Sequence, residues 1–240
     1  MHSQLPYFAE KIIGITITPE HMAQFIRYKE ELLYWNSKFN LTAIKDEEGI
    51  MFKHFLDSLT CYYLLPDLRG KKVIDIGSGA GFPGIPLRVM QEFPLTLVDA
   101  TRKKTEFLQH ICDILQIADV TVVHGRAEKL GQDHSMREKF QVVTARAVAR
   151  LDVLLELSLP LLEIDGYFLA QKGAELGKEM IAAEHALKKL GGVLEARSSL
   201  ALPGGIGKRE LLLFRKLDQT PAKYPRRVGV PEKKPLGEQL

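Results

Sequence analysis

The stretch Asp75-Ile76-Gly77-Ser78-Gly79-Ala80-Gly81-Phe82-Pro83-Gly84-Ile85-Pro86-Leu87 decides the fold. It leaves the apolar run Val73 to Ile76 and enters an apolar helical pattern near Ile85 to Gln91, so it reads as a strand-to-helix turn. Gly77 and Gly79 let the backbone turn tightly and approach a ligand with no Cβ in the way, and Gly81 allows close packing onto the next element. In an open parallel sheet such a turn stands beyond the carboxyl ends of the strands, where ligands bind.

Outward from this turn, everything after Gly70 alternates short β-rich runs with helical ones. The strands expected are Val73 to Ile76, Leu95 to Asp99, Val120 to His124, Gln141 to Ala145, Gly166 to Gln171, Val193 to Leu200 and Glu210 to Arg215. Helices are expected near Thr101 to Leu115, Leu151 to Leu162 and Ala174 to Leu190. The pattern predicts an α/β fold, a doubly wound seven-stranded and mostly parallel sheet of Rossmann-like class I type. The Pro203-Gly204-Gly205 loop predicts an antiparallel hairpin of the last two strands at one edge.

Upstream, Met22, Phe25, Ile26, Leu32, Leu33 and Trp35 recur at helical spacing from Pro19 to Phe39, with Thr18 as N-cap and Pro19 at the first helical position. A second helix is expected from Glu47 to Leu65, ended by Pro66. Residues 1–66 are thus read as an N-terminal helical extension, 67–217 as the sheet domain and 218–240 as a basic arm packed on it or extending from it.

With 45% hydrophobic and 26% charged residues in 240, the chain has a globular composition. No apolar run approaches 18 residues and Met1 to Glu10 has no signal-like pattern, so the expected location is the cytoplasm, away from membranes. Cys61 and Cys112 lie in apolar helical patterns and read as reduced core residues, with no metal expected. The last twenty residues hold Lys223, Arg226, Arg227, Lys233 and Lys234 against Glu232 and Glu238, which accounts for the whole net charge of +3.

Two cofactor classes use a glycine turn. A dinucleotide needs free N–H groups for its pyrophosphate. Here Phe82-Pro83 occupies that place, and proline has no N–H to offer. The less charged S-adenosylmethionine fits better. Asp99, 22 positions after Gly77, ends the run Leu95 to Val98 and is placed to accept from both ribose hydroxyls. Capping the helix near Thr101 is the alternative. Asp75 either meets the ammonium of a bound amino acid or satisfies loop N–H groups.

The words at these positions closely resemble the ribosomal RNA small subunit methyltransferase G family, also called glucose-inhibited division protein B. The resemblance runs through Asp75 to Leu87, Trp35-Asn36, Asn40 to Ile44, His54 with Asp57-Ser58-Leu59, and Val143-Thr144-Ala145-Arg146-Ala147-Val148-Ala149. It continues in Tyr224-Pro225-Arg226-Arg227 and Pro231 to Leu236. It implies a cytoplasmic enzyme that methylates N7 of a guanine in the 530 loop of 16S ribosomal RNA. It also implies cofactor contacts at Gly77, Phe82, Ala127, Glu128 and Arg146, with Asp99 at the ribose. Glu128 has the alternative of pairing with Lys129 or capping a helix.

Methyl transfer from a sulfonium is an in-line displacement, so alignment is the main requirement. Neither cysteine is placed as the nucleophile that a pyrimidine carbon needs. The fourth strand is followed by no Asn/Asp-Pro-Pro-Tyr/Phe, the usual mark of exocyclic amine methylation, which moves the acceptor toward a ring nitrogen. Guanine N7 already carries an in-plane lone pair and no proton, so no catalytic base is expected. Arg146 is read as positioning the cofactor or a phosphate, or as a plain salt bridge. His54 and Asp57, one helical turn apart, either contact cofactor or RNA or join helix to core.

A ribosomal substrate, 16S RNA or the small subunit, requires basic surface, since phosphate contacts supply most nonspecific affinity. Lys103, beside Lys104 at a helix start, Lys172 and Arg209 are candidates, with solvated lysines as the alternative. In the arm, Tyr224, Arg226 and Arg227 interleave an aromatic ring with cations and are read as an RNA-contacting segment of a monomer. A solvated arm packed on its own domain is the competing reading. Two other functions stay open: a nicotinamide oxidoreductase, disfavoured by Phe82-Pro83, and a non-enzymatic RNA-binding factor.

Overall fold

Alternating burial along the central strands sends Val73, Leu95, Leu97, Val142 and Leu169 to one face of a sheet. Ile74, Ile76, Val98, Val143 and Ala170 go to the other. The computed structural model, which describes residues 4–146, 149–173 and 176–238, places helices on both faces. The strands are β1 (Val73–Ile76), β2 (Leu95–Asp99), β3 (Val120–His124), β4 (Phe140–Arg146), β5 (Leu162–Lys172), β6 (Gly192–Leu202) and β7 (Gly207–Lys216). Their order is β3-β2-β1-β4-β5-β7-β6. The first five run parallel, and β7 lies antiparallel between β5 and β6. This is the doubly wound class I arrangement, with the expected hairpin at one edge. The order reverses between β1 and β4, so the carboxyl ends of β1, β2 and β4 flank the switch point where such sheets bind ligands.

One core joins the helices Gln4–Ile13, Pro19–Phe39, Gly84–Met90 and Arg102–Ile114 to the first face. Leu151–Ser158, Gly177–Leu190 and the C-terminal segment cover the second. Thr18 caps the long helix as its sequence indicates, accepting from the His21 N–H at 3.3 Å. The helical extension shares the first core. Tyr28 stacks on Phe82 with ring centroids 5.5 Å apart, and its hydroxyl donates to the Ala80 carbonyl, so the extension clamps the glycine turn.

Several boundaries differ from the sequence expectation. The helix Gln4–Ile13 has no counterpart in it, because its apolar face is short and Pro6 in its first turn reads as a breaker. The run over residues 47–63 is helical but contains a π-helical segment, Ile50–Leu56, followed by a 3-10 turn Thr60–Tyr63. His54 and Asp57, one turn apart, both reach Arg146 at the end of β4. Pro160 lies in a 3-10 turn, Leu159–Leu161, and β5 already begins at Leu162, where a helix end is expected. The expected start of the next helix, Ala174, lies outside the described residues, as do Ala147 and Val148. Among the described residues no helix is long and apolar enough to cross a membrane.

The C-terminal segment is strapped to the domain. Arg137 donates to the carbonyls of Tyr224 (2.6 Å), Thr220 (2.6 Å) and Gly131 (2.8 Å). Arg226 forms a two-pronged pair with the fully buried Glu156 at 2.9 and 2.6 Å. The short helix Val230–Lys233 then returns along the sheet edge.

Candidate active site

The glycine turn uses its own N–H groups. Those of Gly81 and Phe82 go to the Ser78 carbonyl at 2.8 and 2.9 Å, that of Ser78 to Val98 at 2.9 Å and that of Ile85 to Gly81 at 2.9 Å. Gly84 donates to Asp75 Oδ2 (3.2 Å) and Gly79 to Asp99 Oδ2 (3.0 Å). A pyrophosphate would find these donors spent. A Cβ on Gly81 would collide with the Tyr28 hydroxyl and with Ile85, so this glycine is the price of the clamp from the helical extension. Gly79, with φ +60°, faces open space: nothing stands nearer to an added Cβ than the Gly77 carbonyl at 3.9 Å.

Beside the turn lies a cleft of about 770 Å³, open mouth included, bounded by Gly77, Asp99, Arg126, Ala127 and Glu128 and by the apolar Ile76, Val153 and Leu157; Gly79, Phe82 and Arg146, also expected at the cofactor, do not line it. Asp99, 6% exposed, reaches it from the end of β2, held by the Gly79 and Thr101 N–H groups (3.0 and 2.8 Å). One carboxylate therefore braces the glycine turn and closes an Asx turn ahead of the next helix, whose N-cap is Thr101, while facing the cleft, and its remaining lone pairs can accept two hydroxyls. Lys104 Nζ lies 3.9 Å from it, which supplies the anion that two lysines at a helix start require. Lys103 is exposed beside the Phe39 ring, at 5.0 Å.

Asp75 is fully buried beneath the turn. It accepts from Gly84 N–H and Thr144 Oγ1 (3.0 Å), while desolvation raises its carboxyl pKa to about 6. Its contacts are those of a loop-satisfying group. Glu128 lines the cleft but neither pairs with Lys129 nor caps its own helix: its Oε1 accepts from Gly229 N–H (3.1 Å). The C-terminal segment so attached supplies Pro231 and Glu232 to the cleft wall. The sequence pattern gave no sign of these two contributions or of Arg126, because they follow from where the segment lands.

A second cavity, about 590 Å³ with its mouth, opens at the ends of β4 and β5 among Lys53, His54, Asp57, Arg146, Gln171, Lys172, Gly173 and Arg209. Asp57, 1% exposed, binds Arg146 (3.1 Å) through one oxygen and Arg209 (2.6 Å) through the other. Arg146 also donates to His54 Nδ1 (3.0 Å) and lies over the Phe82 ring (4.9 Å). Phe82 in turn stacks on His54, at 4.3 Å between centroids. Arginine has only donors, so Nδ1 accepts and Nε2–H is left to donate to Thr42 Oγ1 at 2.9 Å. Burial, then the nearby Arg146 charge, lowers the His54 pKa to about 3, which keeps the ring neutral. Lys172 is engaged by Glu179 (2.8 Å) and the Ala149 carbonyl (3.0 Å). The wall is cationic overall.

The arm residues divide. Arg227 is exposed and joins Lys223, Lys233 and Lys234 around a basic surface hollow. Tyr224 is 7% exposed and belongs to the second core, so a ring read as a base-stacking platform is enclosed by its own domain. Arg226 is spent on Glu156 and on the Lys234 carbonyl. An aromatic residue interleaved with cations and prolines looks alike in an RNA-binding arm and in a strap that buries its ring.

The family model for rRNA small subunit methyltransferase G matches residues 21–205. The chain is 45% identical over 225 residues to ribosomal RNA small subunit methyltransferase G of Alkaliphilus oremlandii, covering 93% of this chain and 94% of that protein. It is 46% identical over 226 residues to the protein of the same name in Chloroflexus aggregans, covering 93% of each. Among solved structures, geranyl diphosphate C-methyltransferase from Streptomyces coelicolor, in complex with S-adenosyl-L-homocysteine, aligns with a TM-score of 0.52 at 13% identity. That alignment covers 79% of this chain and 98% of that one, a likeness of fold alone.

Proposed function

The chain belongs to the ribosomal RNA small subunit methyltransferase G family, and from that premise we propose how its two neighbouring cavities divide the reaction. The protein is an S-adenosylmethionine-dependent methyltransferase acting on 16S ribosomal RNA. The observation that carries the division of labour is geometric: a cleft edged by the Asp99 carboxylate opens beside a cationic cavity on the same edge of the sheet, at neighbouring strand ends.

Asp99 would hold the ribose, with Gly77 and Gly79 giving backbone access and Ala127 and Glu128 flanking the base. The spent N–H groups of the turn and the absence of a basic side chain inside the turn fit a nucleoside amino acid better than a pyrophosphate. S-Adenosylmethionine supplies an electrophilic methyl on sulfur. The acceptor is N7 of a guanine in the 530 loop: its lone pair forms the new N–C bond as the C–S bond electrons return to sulfur. No proton is lost, so no base is required, and His54, held neutral, is not asked to be one.

Lys53, Arg146, Lys172 and Arg209 would draw the RNA backbone to the second cavity, with Asp57 fixing both guanidinium groups. Lys103 and Arg227 extend this surface, and the helical extension, through Lys53, His54 and Asp57, shapes one wall of the acceptor side. Arg226 and Tyr224 act through the strap. The protein works as a monomer in the cytoplasm. Labelled methyl donor offered to small subunits and to protein-free 16S RNA tests this reading: transfer to RNA is expected, and label found only on small molecules would overturn it.

A further inference from the structure

Gln171, one residue from the end of β5, is 1% exposed and lines the cationic cavity. Its Nε2 donates to the Asp57 carbonyl (2.6 Å) and to Thr60 Oγ1 (3.0 Å). Thr60 spends its own proton on the same carbonyl (2.6 Å), so its hydroxyl oxygen must accept from Gln171. Exchanging the amide oxygen and nitrogen would set Oε1 against a carbonyl, so the orientation of the amide is fixed. Oε1 is left buried without a partner. A buried acceptor in that condition is costly until a donor arrives.

None of the other side chains lining the cavity bonds to that oxygen, and none of them duplicates the acceptor. Both Asp57 oxygens are taken by arginines, and His54 Nδ1 already accepts from Arg146. Lys53, Arg146, Lys172 and Arg209 bring donors only. The cavity therefore sets one fixed, buried and unpartnered acceptor just behind its surface, beside several cations. A guanine matches it: N1–H and the exocyclic amine donate from one edge, and O6 beside them accepts. Adenine would set its N1 acceptor against the same oxygen.

We infer that this cavity is the subsite for the acceptor base and that Gln171 Oε1 accepts from the Watson–Crick edge of the guanine, leaving N7 on the opposite side to face the cofactor cleft. The inference rests on the acceptor assignment above and adds the residue that selects the base.

The test uses small subunits reconstituted with 16S RNA carrying guanosine, inosine or N1-methylguanosine at the methylated position. Inosine lacks the exocyclic amine and N1-methylguanosine lacks N1–H. Wild-type protein is expected to lose about 10- to 100-fold in kcat/KM with at least one analogue, the worth of one hydrogen bond to an otherwise unpaired group. Gln171→Met, which keeps the bulk and removes the acceptor, is expected to lose a similar factor on guanosine while its discrimination between the RNAs collapses. Unchanged S-adenosylhomocysteine affinity reports that the variant is folded. If it is not, the wild-type ratios alone decide. The inference is overturned if wild type treats all three RNAs alike, or if Gln171→Met discriminates as wild type does. Absence of transfer to the guanosine RNA by wild type instead marks failure of the acceptor assignment, and this inference falls with it.

Discussion

Asp99→Ala separates two jobs held by one carboxylate. In the structure its oxygens accept from Gly79 N–H at 3.0 Å and Thr101 N–H at 2.8 Å, so alanine strips a brace of the glycine turn and an Asx turn. Thr101 is exposed and water can replace part of what it loses, which sets the stability cost near that of one to two hydrogen bonds, about 1–2 kcal/mol. The cofactor loses more. Two ribose hydroxyls donating to an ionised acceptor are worth about 1.5–3 kcal/mol each, less what water returns, so affinity should fall by about 3–5 kcal/mol, roughly two to three and a half orders of magnitude. Titration calorimetry with S-adenosylhomocysteine reads the second quantity and urea unfolding the first. Asp99→Asn keeps one oxygen and should fall between. If Asp99→Ala loses the expected stability yet binds the cofactor within about threefold of wild type, the carboxylate is a brace of the backbone only, and the ribose assignment is refuted.

Four further outcomes follow from the same contacts. Arg226→Gln, by stranding the buried Glu156, should destabilise the fold by about 3–5 kcal/mol in urea unfolding; unchanged stability with weakened RNA binding would make Arg226 an RNA contact instead. Arg227→Gln should leave stability unchanged and lower the slope of log affinity for RNA against log salt by about one phosphate contact; an unchanged slope would remove Arg227 from the interface. His54 is neutral in the native state down to about pH 3, whereas the unfolded chain protonates it near 6.5. Its contribution is therefore complete above about 6.5 and is lost as pH falls toward 3, at about 1.4 kcal/mol per unit. Asp75, raised to about 6, contributes with the opposite sign, being favourable at low pH and lost as pH rises through 6. Comparing urea midpoints of wild type and His54→Gln cancels that opposing part. Wild type should lose ground to the variant from pH 6.5 down to 4, and parallel curves would refute the burial of a neutral ring. Finally, a methyl on Gly131 would stand 2.6 Å from Pro225 Cγ, so Gly131→Ala should displace the strap that carries Pro231 and Glu232 and weaken cofactor binding without touching the cofactor. Unaltered affinity would show that the strap does not shape the cleft.

The sheet was legible because each of its signals is local. Val73 to Ile76, Leu95 to Asp99 and Val120 to His124 are apolar runs bounded by breakers, and the observed strands have the same limits. Thr18-Pro19 likewise carries its own cap geometry. The turn was legible for the same reason: Gly77 and Gly79 take positive φ, and Asp99 braces Gly79 from the end of its own strand. What was not legible depends on tertiary arrival. The π-helical turn at Ile50–Leu56 has no distinguishing pattern, and that His54 and Asp57 meet Arg146, with Arg209 closing on Asp57, depends on strand ends 89 and 152 residues beyond Asp57. Glu128 is claimed by Gly229 from 101 residues away. Gln171 reads as an ordinary strand residue until its amide is seen to be filled on one side only. Tyr224 and Arg226 show the converse, a charged and aromatic segment whose partners, the second core and Glu156, are invisible in the local sequence.

The central claim is transfer of one methyl group to a guanine N7 in 16S RNA. The most direct measurement digests RNA from small subunits treated with the protein and labelled methyl donor, identifies the labelled nucleoside by mass spectrometry, and maps its position by fragment analysis. The account requires 7-methylguanosine at a single site in the 530 loop, absent when Asp99→Ala replaces wild type at limiting cofactor. Label in another methylated nucleoside, or spread over many positions, would contradict it.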